Sequence, residues 1–207
     1  MSVKHIRPPP NVAKKHRHAW IRSKYARHGE VVPFSIPEGK TEAVAMLRNH
    51  EIWPKYVLDV GAGFGTWAKL LRAGWPESDW TAIEIYRPYI EKYRLEDFYD
   101  RVYLGNALTI SRAGRSHELQ RTFDLAIFGD VVEHLVKHEG VKMVNRYRWE
   151  WALISVPINY MDQGPYDGNV YETHLHHWDE AQMLEAFPVV DWWCGKDIGV
   201  FLLKRPS

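Results

Sequence analysis

The sequence predicts an α/β protein: a doubly wound, mostly parallel sheet with a terminal antiparallel hairpin strand and helices on both faces. Three observations predict it. From residue 55 short apolar runs alternate with amphipathic ones. A turn with three glycines, VLDVGAGFGT (57–66), joins the first of these runs to the second. The chain ends in two β-rich runs, PVVDWWC and DIGVFLLKR, with little more than Gly195 and Lys196 between them. Alternating strands and helices make parallel strands with crossover helices. So short a link permits only an antiparallel return.

Each element follows in order. Residues 1–12, with RPPP, read as irregular, and NVAKKHRHAWIRSKYARHG as a basic helix ahead of Pro33 and Pro37. EGKTEAVAMLRNH forms a second helix, with Ala43, Val44, Met46 and Leu47 on a partial apolar face. Then come KYVLDV as a strand, TWAKLLRAG as a helix, WTAIEI as a strand, RPYIEKYRLEDF as a helix and RVYLGN as a strand. FDLAIFGD is the fourth strand of this series, VVEHLVKH and GVKMVNRYR are helices, and WALISVP is the fifth strand. DEAQMLEAF is a helix before the closing hairpin.

Composition bounds the function. The 207 residues are 45% hydrophobic and 26% charged, with a net charge of +1, as in an ordinary globular domain. One cysteine, Cys194, excludes an internal disulfide and a cysteine metal cluster, which suits a reducing compartment. No apolar run approaches the roughly 18 residues of a membrane span, and no signal peptide opens the chain, so a cytoplasmic protein is expected. Charge is unevenly placed. Residues 1–30 hold eight Lys or Arg and one acid, Glu30, a net +7, which leaves 19 basic and 25 acidic residues beyond them, a net −6. Such an arm either meets nucleic acid or another phosphate-bearing partner, or packs as a solvated segment on the acidic body. Two regions follow: residues 1–50, a basic N-terminal arm and helical segment acting as lid or substrate contact, and residues 51–207, the ligand-binding domain.

In an open α/β sheet, ligands bind beyond the carboxyl ends of the strands. Gly61 and Gly63 stand at that edge, where a side chain would block backbone approach. A pyrophosphate-binding G-x-G-x-x-G turn would place its third glycine at position 66, which is Thr; here it is Gly65. Glu84 ends the next strand 21 residues after Gly63, where a carboxylate can accept both hydroxyls of a ribose.

These residues together resemble the class I S-adenosylmethionine-dependent methyltransferases. The motifs are DVGAGFG, Glu84, GNAL after the third strand, GDVVEHL after the fourth and the closing hairpin, a likeness covering about residues 55–205. The resemblance implies a Rossmann-like sheet whose last strand is inserted antiparallel between neighbours, S-adenosyl-L-methionine as cofactor, and transfer of its methyl group to an O or N atom. It also implies a cofactor site of Asp59, Gly61, Ala62, Gly63, Glu84, Ile85, Asn106, Ala107 and Asp130. Asp59 would fix loop amides or the cofactor ammonium, or brace the loop. The acceptor expected is a small molecule, entering over the long segment 157–177, with a nucleic acid held by residues 1–30 as the alternative. Cofactor or RNA binding without turnover is the reading outside enzymes.

GDVVEHL carries a second constellation. Asp130, Glu133 and His134, three and four apart, share a face if the segment is helical. D-x-x-E before an apolar run is also a helix capping box, with Asp130 as N-cap. In that reading no metal binds, and His134, Asp130 and His176 of HLHHW are the catalytic candidates, a histidine taking the acceptor's proton. The alternative is a metal site of Asp130, Glu133, His134 and His176. It is similar to the ExxEH-plus-histidine site of small-RNA 3′-end 2′-O-methyltransferases, with Asp130 in place of the first glutamate.

Overall fold

A computed structural model describes residues 5–6, 37–110 and 117–206. The expected basic helix over 11–29 lies outside them. The strands are β1 (His5–Ile6), β2 (Tyr56–Val60), β3 (Asp79–Glu84), β4 (Arg101–Leu104), β5 (Thr122–Gly129), β6 (Arg148–Pro157), β7 (Val189–Cys194) and β8 (Ile198–Lys204). They form one sheet in the order β1-β4-β3-β2-β5-β6-β8-β7. Strands β2 to β6 are parallel, while β8 runs antiparallel between β6 and β7. The doubly wound sheet and its terminal hairpin are therefore as the sequence predicts. Strand β1 adds a short antiparallel edge to β4.

Alternation along the strands sends side chains to two separate cores. Val57 joins one face and Leu58 and Val60 the other. Helices α1 (Lys40–Asn49), α2 (Thr66–Leu71) and α3 (Arg87–Lys92) cover the first face, through Ala43, Leu47, Trp67, Ala68 and Tyr89. Helices α4 (Lys137–Arg146) and α5 (Glu180–Ala186) cover the second through Met143, Val144 and Met183. Asp179 caps α5, its carboxylate accepting from the Gln182 N–H at 2.8 Å.

Two expected helices differ. RPYIEKYRLEDF breaks at Arg94, whose φ is +51°, and continues as a 3₁₀ turn over Leu95–Asp97. This break tucks Leu95 and Phe98 into the first core. VVEHLVKH does not begin an α-helix: Val132–His134 form a 3₁₀ turn, and Leu135 and Val136 are extended before α4 starts at Lys137. The Glu133 carbonyl, which a continuing helix would need, accepts instead from Leu175 N–H at 2.8 Å and His176 N–H at 3.1 Å.

Candidate active site

The carboxyl ends of β2 to β6 open into a cleft of about 400 Å³. Gly61, Ala62 and Gly63 line it after β2, Glu84 and Ile85 at the end of β3, Asn106 and Ala107 after β4, and Asp130, Glu133 and His134 after β5. The glycine turn takes positive φ at Gly61 (+72°) and Gly63 (+50°), a region that costs a residue with a Cβ. The two glycines differ in surroundings. A Cβ on Gly61 would come within 2.6 Å of Val131 Cγ2, whereas one on Gly63 would meet the Gly61 carbonyl oxygen at 3.8 Å, an ordinary contact. Gly61→Ala is therefore expected to lower stability by about 1–3 kcal/mol, read from denaturant unfolding. A variant as stable as the wild type would remove the steric argument.

Glu84 is buried, and both its oxygens face backbone donors: Oε2 accepts from Gly63 N–H and Oε1 from Tyr86 N–H, each at 2.8 Å. Burial pushes its pKa up to about 7, against the pull of these hydrogen bonds. Asn106 Oδ1 accepts from Leu108 N–H at 2.8 Å, so the side chain shapes the turn after β4 as well as bordering the cleft.

Asp59 is not among the residues that line the cleft. Its Oδ2 accepts from the Tyr99 hydroxyl at 2.5 Å behind the glycine turn, and no hydrogen bond joins it to a loop amide. It stands there as a brace behind the turn, one of the alternatives expected of it. Burial raises its pKa to about 7.

Asp130 is not a helix cap. It has φ +53°, its N–H donates to the Ser155 carbonyl at 2.8 Å, and the 3₁₀ turn beginning after it has no side-chain cap. Its Oδ1 accepts from Ser155 Oγ at 2.6 Å, and its Oδ2 lies 3.4 Å from Lys40 Nζ. With the carboxylate turned to these partners, the capping-box expectation is overturned.

Glu133, His134 and His174 offer ligand atoms that all lie within 4.8 Å of one another. The bonds from Leu175 and His176 to the Glu133 carbonyl draw this loop onto the 3₁₀ turn. The imidazoles of His134 and His174 then stand 5.0 Å apart. Nδ1 of His134 is 3.3 Å from the Thr173 carbonyl and Nδ1 of His174 is 2.8 Å from the Met161 carbonyl. Backbone carbonyls beside both Nδ1 atoms orient the two rings, as the outer hydrogen bonds of metal-binding histidines do. Burial and the neighbouring His174 lower the His134 pKa to about 4, keeping the ring neutral. Glu133 is 2% exposed and its Oε2 has no hydrogen-bond partner, while burial, then the charge of Asp130, drives its pKa well up. A divalent cation fits this set of one carboxylate and two imidazoles.

His176, the expected partner, points elsewhere: its Nε2 is 2.9 Å from Gln182 Oε1 and its ring packs on Trp178. It lies in an adjoining depression with His174 and His177, outside the Glu133–His134–His174 group of close ligand atoms. HLHHW signals that a histidine reaches the site, but an irregular loop has no period from which to tell which one. Sequence reading also passed over Lys40, Ser155 and Glu172. Glu172 lines the cleft, and its charge helps to raise the Glu84 pKa.

This open sheet, with its glycine turn, strand-end acid and inserted antiparallel β8, is the fold of class I methyltransferases. Among solved structures it is similar to the methyltransferase domain of bacterial CtHen1-C, at 19% identity and TM-score 0.54, covering 83% of this chain and 100% of that one. It is similar also to the N-terminal domain of EvdMO1 crystallised with SAH and D-fucose (14%, TM-score 0.55, 82% and 84% covered). Mitomycin 7-O-methyltransferase MmcR matches at 15% identity and TM-score 0.54 over 81% of this chain, which spans about half, 54%, of that enzyme. At these identities the likeness is one of fold. No protein-family model matches the chain, and no curated protein does.

Proposed function

We propose that the protein is an S-adenosylmethionine-dependent methyltransferase acting on a hydroxyl oxygen, with a divalent cation held by Glu133, His134 and His174. One observation carries the reading: the glycine turn with Glu84 and the Glu133–His134–His174 cluster face a single cleft at the carboxyl edge of a methyltransferase-type sheet. The Gly61–Gly63 backbone receives the methionine portion, Glu84 accepts the ribose hydroxyls, and Ile85, Asn106 and Ala107 border the adenine. When bound, S-adenosylmethionine would supply its sulfonium methyl to the acceptor oxygen, the C–S bond breaking as the C–O bond forms, with S-adenosylhomocysteine as the neutral thioether and the hydroxyl proton passing to solvent. The cation, when bound, supplies Lewis acidity toward the acceptor hydroxyl. Glu133 and the two imidazoles, fixed by their backbone partners, hold that side of the cleft in one geometry.

Titration calorimetry with S-adenosylmethionine, S-adenosylhomocysteine and NAD tests the cofactor, and loss of turnover to chelator with return on added Mn²⁺ tests the cation. Failure to bind either sulfur compound ends the proposal. Glu84→Ala is expected to weaken cofactor binding by about 1.5–3 kcal/mol, the scale of charged hydrogen bonds. With a pKa raised to about 7, Glu84 gains its charge as pH rises, so wild-type affinity should increase from about pH 6 to 8. A Glu84→Gln profile as steep as wild type would exclude Glu84 as the source.

A small-molecule acceptor entering past the 158–177 loop is the first reading. A second is a ribose hydroxyl of RNA, favoured by the spacing of Glu133, His134 and His174 and by the +7 of residues 1–30. RNA affinity would then fall steeply with salt as counterions are released, whereas RNA neither bound nor methylated leaves the small molecule.

A further inference from the structure

We infer that Lys40 is a positioning residue that holds the Asp130 carboxylate out of the cation cluster, so that Glu133, His134 and His174 are its whole protein ligand set. The inference rests on the cation reading above. Lys40 comes from α1, 90 residues before Asp130 in sequence, yet it is 8% exposed. Its ammonium lies 3.4 Å from Asp130 Oδ2 and 3.3 Å from Ser155 Oγ, and Ser155 donates to Asp130 Oδ1 at 2.6 Å. Both carboxylate oxygens are thereby engaged by Lys40 and Ser155, and Asp130, although its charge is felt at Glu133, is absent from the group of close ligand atoms.

The lysine is fixed in place. Its ammonium stands 4.3 Å over the Trp67 ring, which packs against Gly129 so closely that a Cβ there would lie 1.7 Å from Trp67 Nε1. The residues just before it are anchored too. Glu38 accepts from the backbone N–H groups of Lys196, Asp197 and Ile198 in the β7–β8 turn. Gly39, with φ +80°, sits so near β8 that a Cβ would come within 2.6 Å of Val200 Cγ2. A lysine is rarely buried without partners, and these partners fix its ammonium beside Asp130, a residue of the cleft lining. The consequence is chemical. An anionic fourth ligand would tighten the cation and occupy a position that acceptor oxygen or water needs, whereas three protein ligands leave the site open.

The test is Mn²⁺ titration of the full chain as wild type, Lys40→Met, Asp130→Asn and the double variant. Thermal unfolding and S-adenosylhomocysteine binding serve as controls for folding. Lys40→Met should bind Mn²⁺ about tenfold or more tightly, because the freed carboxylate adds a charged ligand. Asp130→Asn alone should change Kd by no more than about threefold, and in the Lys40→Met background it should abolish the gain. Loss of about tenfold or more from Asp130→Asn alone would mean that Asp130 is already a ligand. Equal effects of Asp130→Asn in both backgrounds would reduce Lys40 to a distant charge. Either result overturns the inference while leaving the cation reading intact. No Mn²⁺ binding by any of the four proteins overturns the cation reading and this inference with it. Should Lys40→Met fail to fold, Ser155→Ala replaces it in the same cycle, with a gain of the same sign expected and no coupling counting against the inference.

Discussion

Glu133→Gln is expected to raise the thermal midpoint of the protein while reducing methyl transfer by about 100-fold or more. Glu133 is buried with one oxygen unpartnered, beside Asp130, and its pKa is driven well above the carboxylate range. A charge in that position costs stability unless something compensates it. Burial keeps this carboxyl protonated at a pH where the unfolded chain would ionise it, a cost that glutamine of the same shape does not carry, so a gain of about 0.5–2 kcal/mol is expected, the ordinary size of a stabilising change at a site shaped for function. In the proposed cation site the same change takes away the carboxylate ligand. Calorimetric unfolding and release of S-adenosylhomocysteine measure the two effects on one preparation. A variant that is less stable and fully active would remove Glu133 from the site.

The second large effect is on stability against pH. Asp59 holds its proton in the folded protein up to a pKa of about 7, whereas its ordinary value is 3.8. Between those values the native state binds a proton that the unfolded chain has released, so stability falls as pH rises. The full contribution, about 4 kcal/mol at about 1.4 kcal/mol per pH unit, is present below about pH 4 and lost above about pH 7. Glu84, raised to about 7 in the same way, adds to the slope. Asp59→Asn keeps an acceptor for Tyr99 and cannot titrate, so denaturant midpoints across this window should fall less steeply than in the wild type. Parallel curves for the two proteins would show that Asp59 is already ionised when folded.

The architecture was legible wherever local pattern and final environment agree. Apolar runs such as YVLDV and FDLAIF could only be strands of a covered sheet, and two residues between PVVDWWC and DIGVFLLKR could only turn back. The insertion of β8 between β6 and β7 was carried by family resemblance, because nothing local in IGVFLLK chooses between its neighbours. Gly63 and Glu84 were legible because both stand at strand ends, where sequence position fixes spatial position. The Glu133 turn was not. The spacing of Asp130, Glu133 and His134 suits a helix, but the Glu133 carbonyl is claimed by the backbone of residues 175–176, a contact some 40 residues away. Lys40 likewise reads as the first turn of an amphipathic helix; its partners Asp130 and Ser155 are 90 and 115 residues distant.

The segment joining β6 to α5 has a consequence for binding. It supplies Asn169 and Glu172 to the end of the cleft near Glu84 and His174 to the other end, and it is strapped across α3 by the 2.9 Å contact between Lys92 and Asp167. A single stretch of chain therefore borders both the Glu84 side of the cleft and the Glu133–His134 pair. On the function proposed above, a displacement of this segment that admits or releases a nucleoside also moves His174 away from Glu133 and His134. Occupancy of the two parts of the cleft is then expected to be coupled: Mn²⁺ should bind more tightly when S-adenosylhomocysteine is present, and equal affinities with and without it would show that the segment does not link them.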